Sequence, residues 1–243
     1  SLSSAAGSDV TVDYTTVAGT AVPTNDFTTT AGTLTVPAGS TTQNITVPTL
    51  DDTTEEVNKN FTVQISNQNL GNITDNSGAI TLNDNDAVPD ISIDDVAIVE
   101  GGNLVFTVGL SHPSESAVTF DWTTVDGTAV SPTDYTANSA VGETIAAGLT
   151  TATLTIVTAD NAQNGLAKGL SVVLSSPANG NIIDNTGLGT INDNDAVPNL
   201  RINSLSVTEG GGFTFTVSLD ASSEQNVDFT WATSDGSATA PTD

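Results

Sequence analysis

Acidic side chains return at fixed intervals along this chain, and almost no basic group stands near them in sequence. The block NDNDAVP begins at residue 83 and again at residue 192, a spacing of 109, so Asp84 and Asp86 are echoed by Asp193 and Asp195. Between the two blocks, Glu100 opens one run of alternating apolar residues, and Asp126 and Asp160 each follow another. If these runs are strands of one sandwich, several of the loops carrying Glu100, Asp126, Asp160, Asp193 and Asp195 can share one end. Two unit charges about 4 Å apart cost about 4 kcal/mol at an effective dielectric of 20, so such a gathering repels itself. A hard divalent cation relieves that repulsion. Calcium takes roughly six to eight oxygen ligands from flexible loops, whereas magnesium demands tighter octahedral geometry and sheds water reluctantly. The residue types therefore favour Ca2+. Turn formation is the competing reading, because Asp, Asn and Gly are favoured in turns for local reasons.

Other chemistry is poorly served. His112 is the sole histidine and lies beside Pro113, the setting of a solvated turn residue. With no second histidine and no nucleophile elbow, the many serines have no triad to join. A glycosidase pair of carboxylates needs a cleft, and repetition of the acids at every junction argues for structure instead. The expectation is a protein that is not an enzyme. Three Lys or Arg against 29 acids, a net charge of −26, exclude a nucleic-acid footprint. No apolar run approaches the roughly 18 residues of a membrane span, so no direct membrane insertion is expected. Cysteine is absent, and a domain of about 100 residues does not require disulfides.

The elements that must position the acids follow from the repeat. EGGNLVFTVGL from Glu100 returns as EGGGFTFTVSL from Glu209. FDWTTVDGTAVSPTD from Phe120 returns as FTWATSDGSATAPTD from Phe229, and an earlier copy, VDYTTVAGTAVPTND, starts at Val12. A period near 109 exceeds the roughly 20 to 50 residues of a solenoid unit and fits an autonomous small domain. The expected domains are residues 1–88, a repeat without its opening strands; 89–197, a complete repeat; and 198–243, the opening part of a third. Leu104, Phe106, Val108 and Leu110 alternate with smaller or more polar neighbours, as do Val118, Phe120 and Trp122, then Leu154 and Ile156, and Leu170, Val172 and Leu174. Period-2 alternation reads as half-buried strands. About seven short strands joined by Gly, Pro, Asn and Asp turns describe an immunoglobulin-like sandwich. Tyr14, Trp122 and Trp231 occupy equivalent positions and are expected to be core aromatics. The fold class is thus all-β, with tandem seven-stranded sandwiches arranged head to tail.

Four motifs in order carry a family resemblance: VEGG at Val99–Gly102, TVDGTAVSPTDY at Thr124–Tyr135, LDD at Leu50–Asp52 before the strand FTVQIS, and INDND at Ile191–Asp195. Together they resemble the Calx-beta domain over essentially the whole chain. The resemblance implies calcium bound at one end of each sandwich, beside the next domain. Its strand-start glutamate falls on Glu100 and Glu209, and its turn aspartate on Asp126 and Asp235, with Ala18 in the first repeat. The acidic pair before the sixth strand falls on Asp51 and Asp52, then on Asp160 and Asn161. The two glutamates that follow fall on Glu56 and Lys59, then on Gly165 and Lys168. The terminal acidic run falls on Asp84 and Asp86, then on Asp193 and Asp195. With several acids replaced and two lysines close by, one weakly held calcium per junction is expected, in the range of roughly 10⁻⁴ to 10⁻³ M for extracellular modules.

The expected function is structural: an extracellular or cell-surface repeat array, the calcium-stiffened stalk or fibre of a bacterial adhesive protein. Its expected partners are neighbouring repeats of the same chain and, in a fibre, other copies of itself. The linkers Ala87–Pro89 and Ala196–Pro198 are short, and proline restricts its own φ and the residue before it. Both chain ends fall inside a repeat, so a longer array is expected. Two alternatives stay open: a calcium-dependent regulatory or spacer module in a larger protein, and a filament subunit whose missing strands come from a neighbouring copy.

Overall fold

The computed structural model describes residues 1–240, and no helix occurs among them. Repeat 1 contributes β1 (Val10–Ala18), β2 (Ala31–Val36), β3 (Lys59–Ser66) and β4 (Ser77–Leu82), joined in one antiparallel sheet of order β2-β1-β3-β4. Its small core is Ala21, Phe27 and Phe61, with the two rings stacked at a centroid distance of 4.2 Å and an interplanar angle of 6°.

Repeat 2 forms a two-sheet sandwich. Its strands are β5 (Asp90–Ile93), β6 (Val96–Val99), β7 (Asn103–Leu110), β8 (Val118–Asp126), β9 (Ser139–Ile145), β10 (Thr151–Val157), β11 (Gln163–Asn164), β12 (Lys168–Ala178), β13 (Asn181–Ile182) and β14 (Thr186–Asn192). One sheet has the order β10-β7-β5-β13 and the other β6-β14-β12-β8-β9. Alternation does the sorting: Leu104, Phe106 and Val108 of β7, Phe120 and Trp122 of β8, and Leu170, Val172 and Leu174 of β12 are buried between the sheets. Their polar neighbours face outward, as period 2 requires. The registers place Phe106 opposite Leu154 and Trp122 opposite Leu174.

The seven strands expected per repeat become nine in these two sheets, because the opening strand is divided and the two-residue β13 is added. β5 pairs with β7 in one sheet, and β6 pairs in parallel with β14 in the other. Asp94 and Asp95 occupy the crossing. The Asp94 carboxylate accepts the Thr107 N–H at 2.6 Å, and that of Asp95 accepts the Leu188 N–H at 2.7 Å. Each acid thus satisfies a ladder donor that the departing strand leaves unpaired.

Repeat 3 contains β15 (Leu200–Ile202), β16 (Val217–Leu219) and β17 (Ser222–Ser223). β15 and β16 pair with each other, and β17 pairs in parallel with β11 of repeat 2. The expected core role holds for Trp122, at 6% exposure, and fails for Trp231, at 80%. A tryptophan is buried only if a second sheet covers it, and among the described residues no such sheet lies over Trp231.

Candidate metal centre

Three segments distant in sequence bring carboxylates together where repeat 2 ends. β6 delivers Glu100, the loop after β10 delivers Asp160 and Asn161, and the chain leaving β14 delivers Asp193 and Asp195. Parallel pairing of β6 with β14 sets Val99 against Asn192, and the Glu100 N–H donates to the Asn192 carbonyl at 2.9 Å. The acids that follow each strand are thereby side by side. Gly101 has φ of +80°, a conformation that glycine adopts at little cost. A Cβ there would stand 2.9 Å from the Asp160 Cβ, so glycine also lets the two segments meet.

Glu100, Asp193 and Asp195 each offer an oxygen within 4.8 Å of the others. Among the described residues no other group of three or more His, Cys, Asp or Glu gathers in this way. Burial raises the Glu100 carboxyl above the ordinary value of 4.5; the Asn194 N–H lowers it, and the charges of Asp193 and Asp195 raise it further. The Asn161 amide donates to Glu100 Oε2 at 2.8 Å, and the Asn164 amide to Asp193 Oδ2 at 3.1 Å. Asp195 Oδ2 is buried without a hydrogen-bond partner. A buried, unpaired carboxylate oxygen is costly. The donor set is oxygen throughout, as calcium prefers, and backbone carbonyls and water would complete the coordination. These residues therefore fit the ion.

The other expected ligands are distributed differently. Asp126 lies outside the Glu100 group; its Oδ1 accepts the Tyr135 hydroxyl at 2.6 Å and the Ser131 N–H at 3.1 Å. The Tyr135 hydroxyl and then the Ser131 N–H hold its carboxyl below the ordinary 3.8. A carboxylate whose folded pKa is lowered stabilises the fold above its unfolded value and loses that contribution as pH falls through the folded one. Replacing Tyr135 by Phe is expected to move the Asp126 titration up toward 3.8; carbon-detected NMR reads this directly, and an unchanged midpoint would refute the assignment. Asp51, Asp52, Glu56, Asp84 and Asp86 line one hollow in repeat 1. There, burial and then the charges of Asp84, Asp51 and Asp52 raise the Asp86 carboxyl. Glu56 turns to Lys59 Nζ, at 2.6 Å. In repeat 3, Glu209 is exposed, and Asp235 accepts the Ala240 N–H at 3.3 Å.

Sequence reasoning missed Asp134 and Glu224, which join Glu100 and Lys168 around one hollow, and Asn164, whose amide donates to Asp193. Lys168 Nζ stands 2.7 Å from Asp134 and 2.9 Å from Glu224. Repeat alignment held the signal, since Asp26, Lys59 and Glu115 precede Asp134, Lys168 and Glu224 by 108 or 109 residues.

Comparison with family models matches the Calx-beta domain at residues 1–86, 84–197 and 191–243. Among solved structures, the chain is similar to CBD12 from CALX1.2, at 15% identity over 76% of this chain and 88% of that one, with a TM-score of 0.41. It is also similar to the apo-form Calx CBD1 domain, at 16% identity over 44% of this chain and 99% of that one, with a TM-score of 0.42. A search of curated proteins gives no match.

Proposed function

The chain belongs to the Calx-beta domain family, and from that premise we propose that it is a non-enzymatic, extracellular structural array whose repeats hold Ca2+ where one sandwich meets the next. The observation that carries this reading is the convergence of Glu100, Asp193 and Asp195 around a buried carboxylate oxygen that has no protein partner. Asp160 and Asn161 flank this group, and Asp51, Asp52, Asp84 and Asp86 are the corresponding set in repeat 1. A bound ion would tie the strand-start segment of a repeat to its exit strand, directly before the Ala-Val-Pro linker, and so limit bending there. A stalk or fibre of a bacterial surface protein is the setting such a stiffened array fits.

Calcium titration with thermal unfolding tests the reading. Ligand that binds only the folded state stabilises it by RT ln(1 + [L]/Kd), about 1.4 kcal/mol at ten times Kd. The second repeat should therefore gain about 5 °C or more in Tm at 10 mM calcium. Replacing Asp195 by Asn should remove most of that gain. An unchanged Tm in the parent chain would defeat the proposal.

A second reading, assembly by strand donation, rests on a different observation. Repeat 1 has an open cavity of about 220 Å³ lined by Val10, Val12, Leu34, Val36 and Ile65 among others. In repeat 2 the equivalent Val118 and Phe120 are covered by β5 and β7. Leu200, Ile202, Phe213 and Phe215 are exposed and stand at the repeat positions of Ile91, Ile93, Leu104 and Phe106. Residues 198–219 of another copy thus have the apolar pattern to fill the cavity. Sedimentation of the 243-residue chain should reveal concentration-dependent oligomers that disappear on deletion of residues 198–243; a monomer at all concentrations would exclude this assembly.

A further inference from the structure

We propose that a lysine–carboxylate clasp, independent of calcium, joins each repeat to the next and sets their relative orientation. The joint consists of more than the Ala-Val-Pro linker. At the first junction, Glu55 forms a parallel β-bridge with Ser114, and the Glu115 N–H donates to the Glu55 carbonyl at 2.8 Å. At the second, β11 and β17 form a parallel ladder in which Asn164 pairs with Ser223, and the Glu224 N–H donates to the Asn164 carbonyl at 2.9 Å. Glu55 and Asn164 are 109 residues apart, as are Ser114 and Ser223, and Glu115 and Glu224. The same backbone contact therefore forms twice, between different pairs of repeats.

The charges repeat with it. Lys59 Nζ lies 3.2 Å from Asp26 of its own repeat and 3.9 Å from Glu115 of the next. Lys168 Nζ lies 2.7 Å from Asp134 of its own repeat and 2.9 Å from Glu224 of the next. These two lysines and Arg201 are the entire complement of Lys and Arg side chains against 29 acids. Both lysines thus stand at one repeat position, each shared between an acid at home and an acid across the joint. Side chains add specificity to the backbone bridge: the Ser114 hydroxyl donates to Glu55 Oε2 at 2.6 Å, and the Val57 N–H to Glu115 Oε2 at 3.2 Å. A short strand pairing and a charge pair from the same loop restrict rotation about a linker that proline alone would leave hinged.

Absence of cysteine lets two spin labels be placed uniquely. Thr35→Cys in repeat 1 and Thr155→Cys in repeat 2, both on exposed strand positions, report the first junction in pulsed electron-spin distance measurements. With calcium chelated throughout, the labelled parent chain should give a single narrow distribution. The double substitution Ser114→Ala with Glu115→Gln should at least double its width, whereas Glu224→Gln at the second junction should leave it unchanged. A broad parent distribution under chelation, or one that the Ser114/Glu115 variant does not widen, overturns the clasp. Neither result bears on calcium binding, which the Tm titration tests separately.

Discussion

Replacing Lys59 by Met is expected to destabilise repeat 1 by about 3–5 kcal/mol, the range for removing one member of a buried ion pair. The Lys59 side chain is 10% exposed and that of Asp26 6%. Asp26 cannot swing to water without losing the Val22 N–H, which its other oxygen accepts. Met fills the volume of the lysine stem and leaves the Asp26 carboxylate buried without its cation. Replacing both residues, Lys59→Met with Asp26→Asn, should recover most of the loss, because no unpaired charge then remains and the amide oxygen still accepts the Val22 N–H. A pH series adds an independent sign. Burial lowers the Lys59 pKa, but the hydrogen bonds it donates to Glu56 and Asp26 outweigh this and hold it above the ordinary 10.5. A base whose folded pKa is raised stabilises the fold below its unfolded value and loses that contribution as pH rises through the folded one. The parent should therefore lose stability above about pH 10.4, and the Lys59→Met chain should lack that alkaline decline. Urea unfolding across this range measures both effects; equal stability of parent and single variant would refute the pairing.

Replacing Phe106 by Ala is expected to cost repeat 2 about 3–5 kcal/mol, as for other fully buried phenylalanines. Phe106 is 0% exposed, faces Leu154 across β7 and β10, and packs so closely on β14 that a Cβ at Gly189 would stand 3.1 Å from its ring. Phe215 occupies the same position of the next repeat and is 52% exposed. Its replacement by Ala should change stability by no more than about 0.5 kcal/mol, as at ordinary surface sites. Denaturant unfolding followed by Trp122 fluorescence, with Trp231 changed to Phe, compares the two. Equal losses would mean that the face carrying Phe215 is covered.

Alternation over Leu104–Leu110, Val118–Trp122 and Leu170–Leu174 was sufficient to assign strands and their inward faces, because a side-chain period of 2 is a local property of extended backbone. The VEGG and INDND motifs located Glu100, Asp193 and Asp195, and the structure brings those three together. The same reasoning grouped Asp126 with them, whereas its carboxylate is committed to Tyr135 nine residues later. Sequence spacing does not disclose which of two loop partners a side chain takes. Division of the opening strand was equally hidden, since whether Ile91 and Ile98 join one sheet or two depends on the distant strands β7 and β14 that receive them.

Composition, the 109-residue period and the alternation of apolar residues determined an all-β, acidic, tandem array, because each is written in the order of residues and needs no partner to be read. Only the tertiary structure decided which acids meet, which tryptophan is buried and that Lys59 and Lys168 reach across to Glu115 and Glu224. The acid cluster and the lysine contacts join segments 56 or more residues apart, and the energy of such a contact exists only when the fold closes the loop between them.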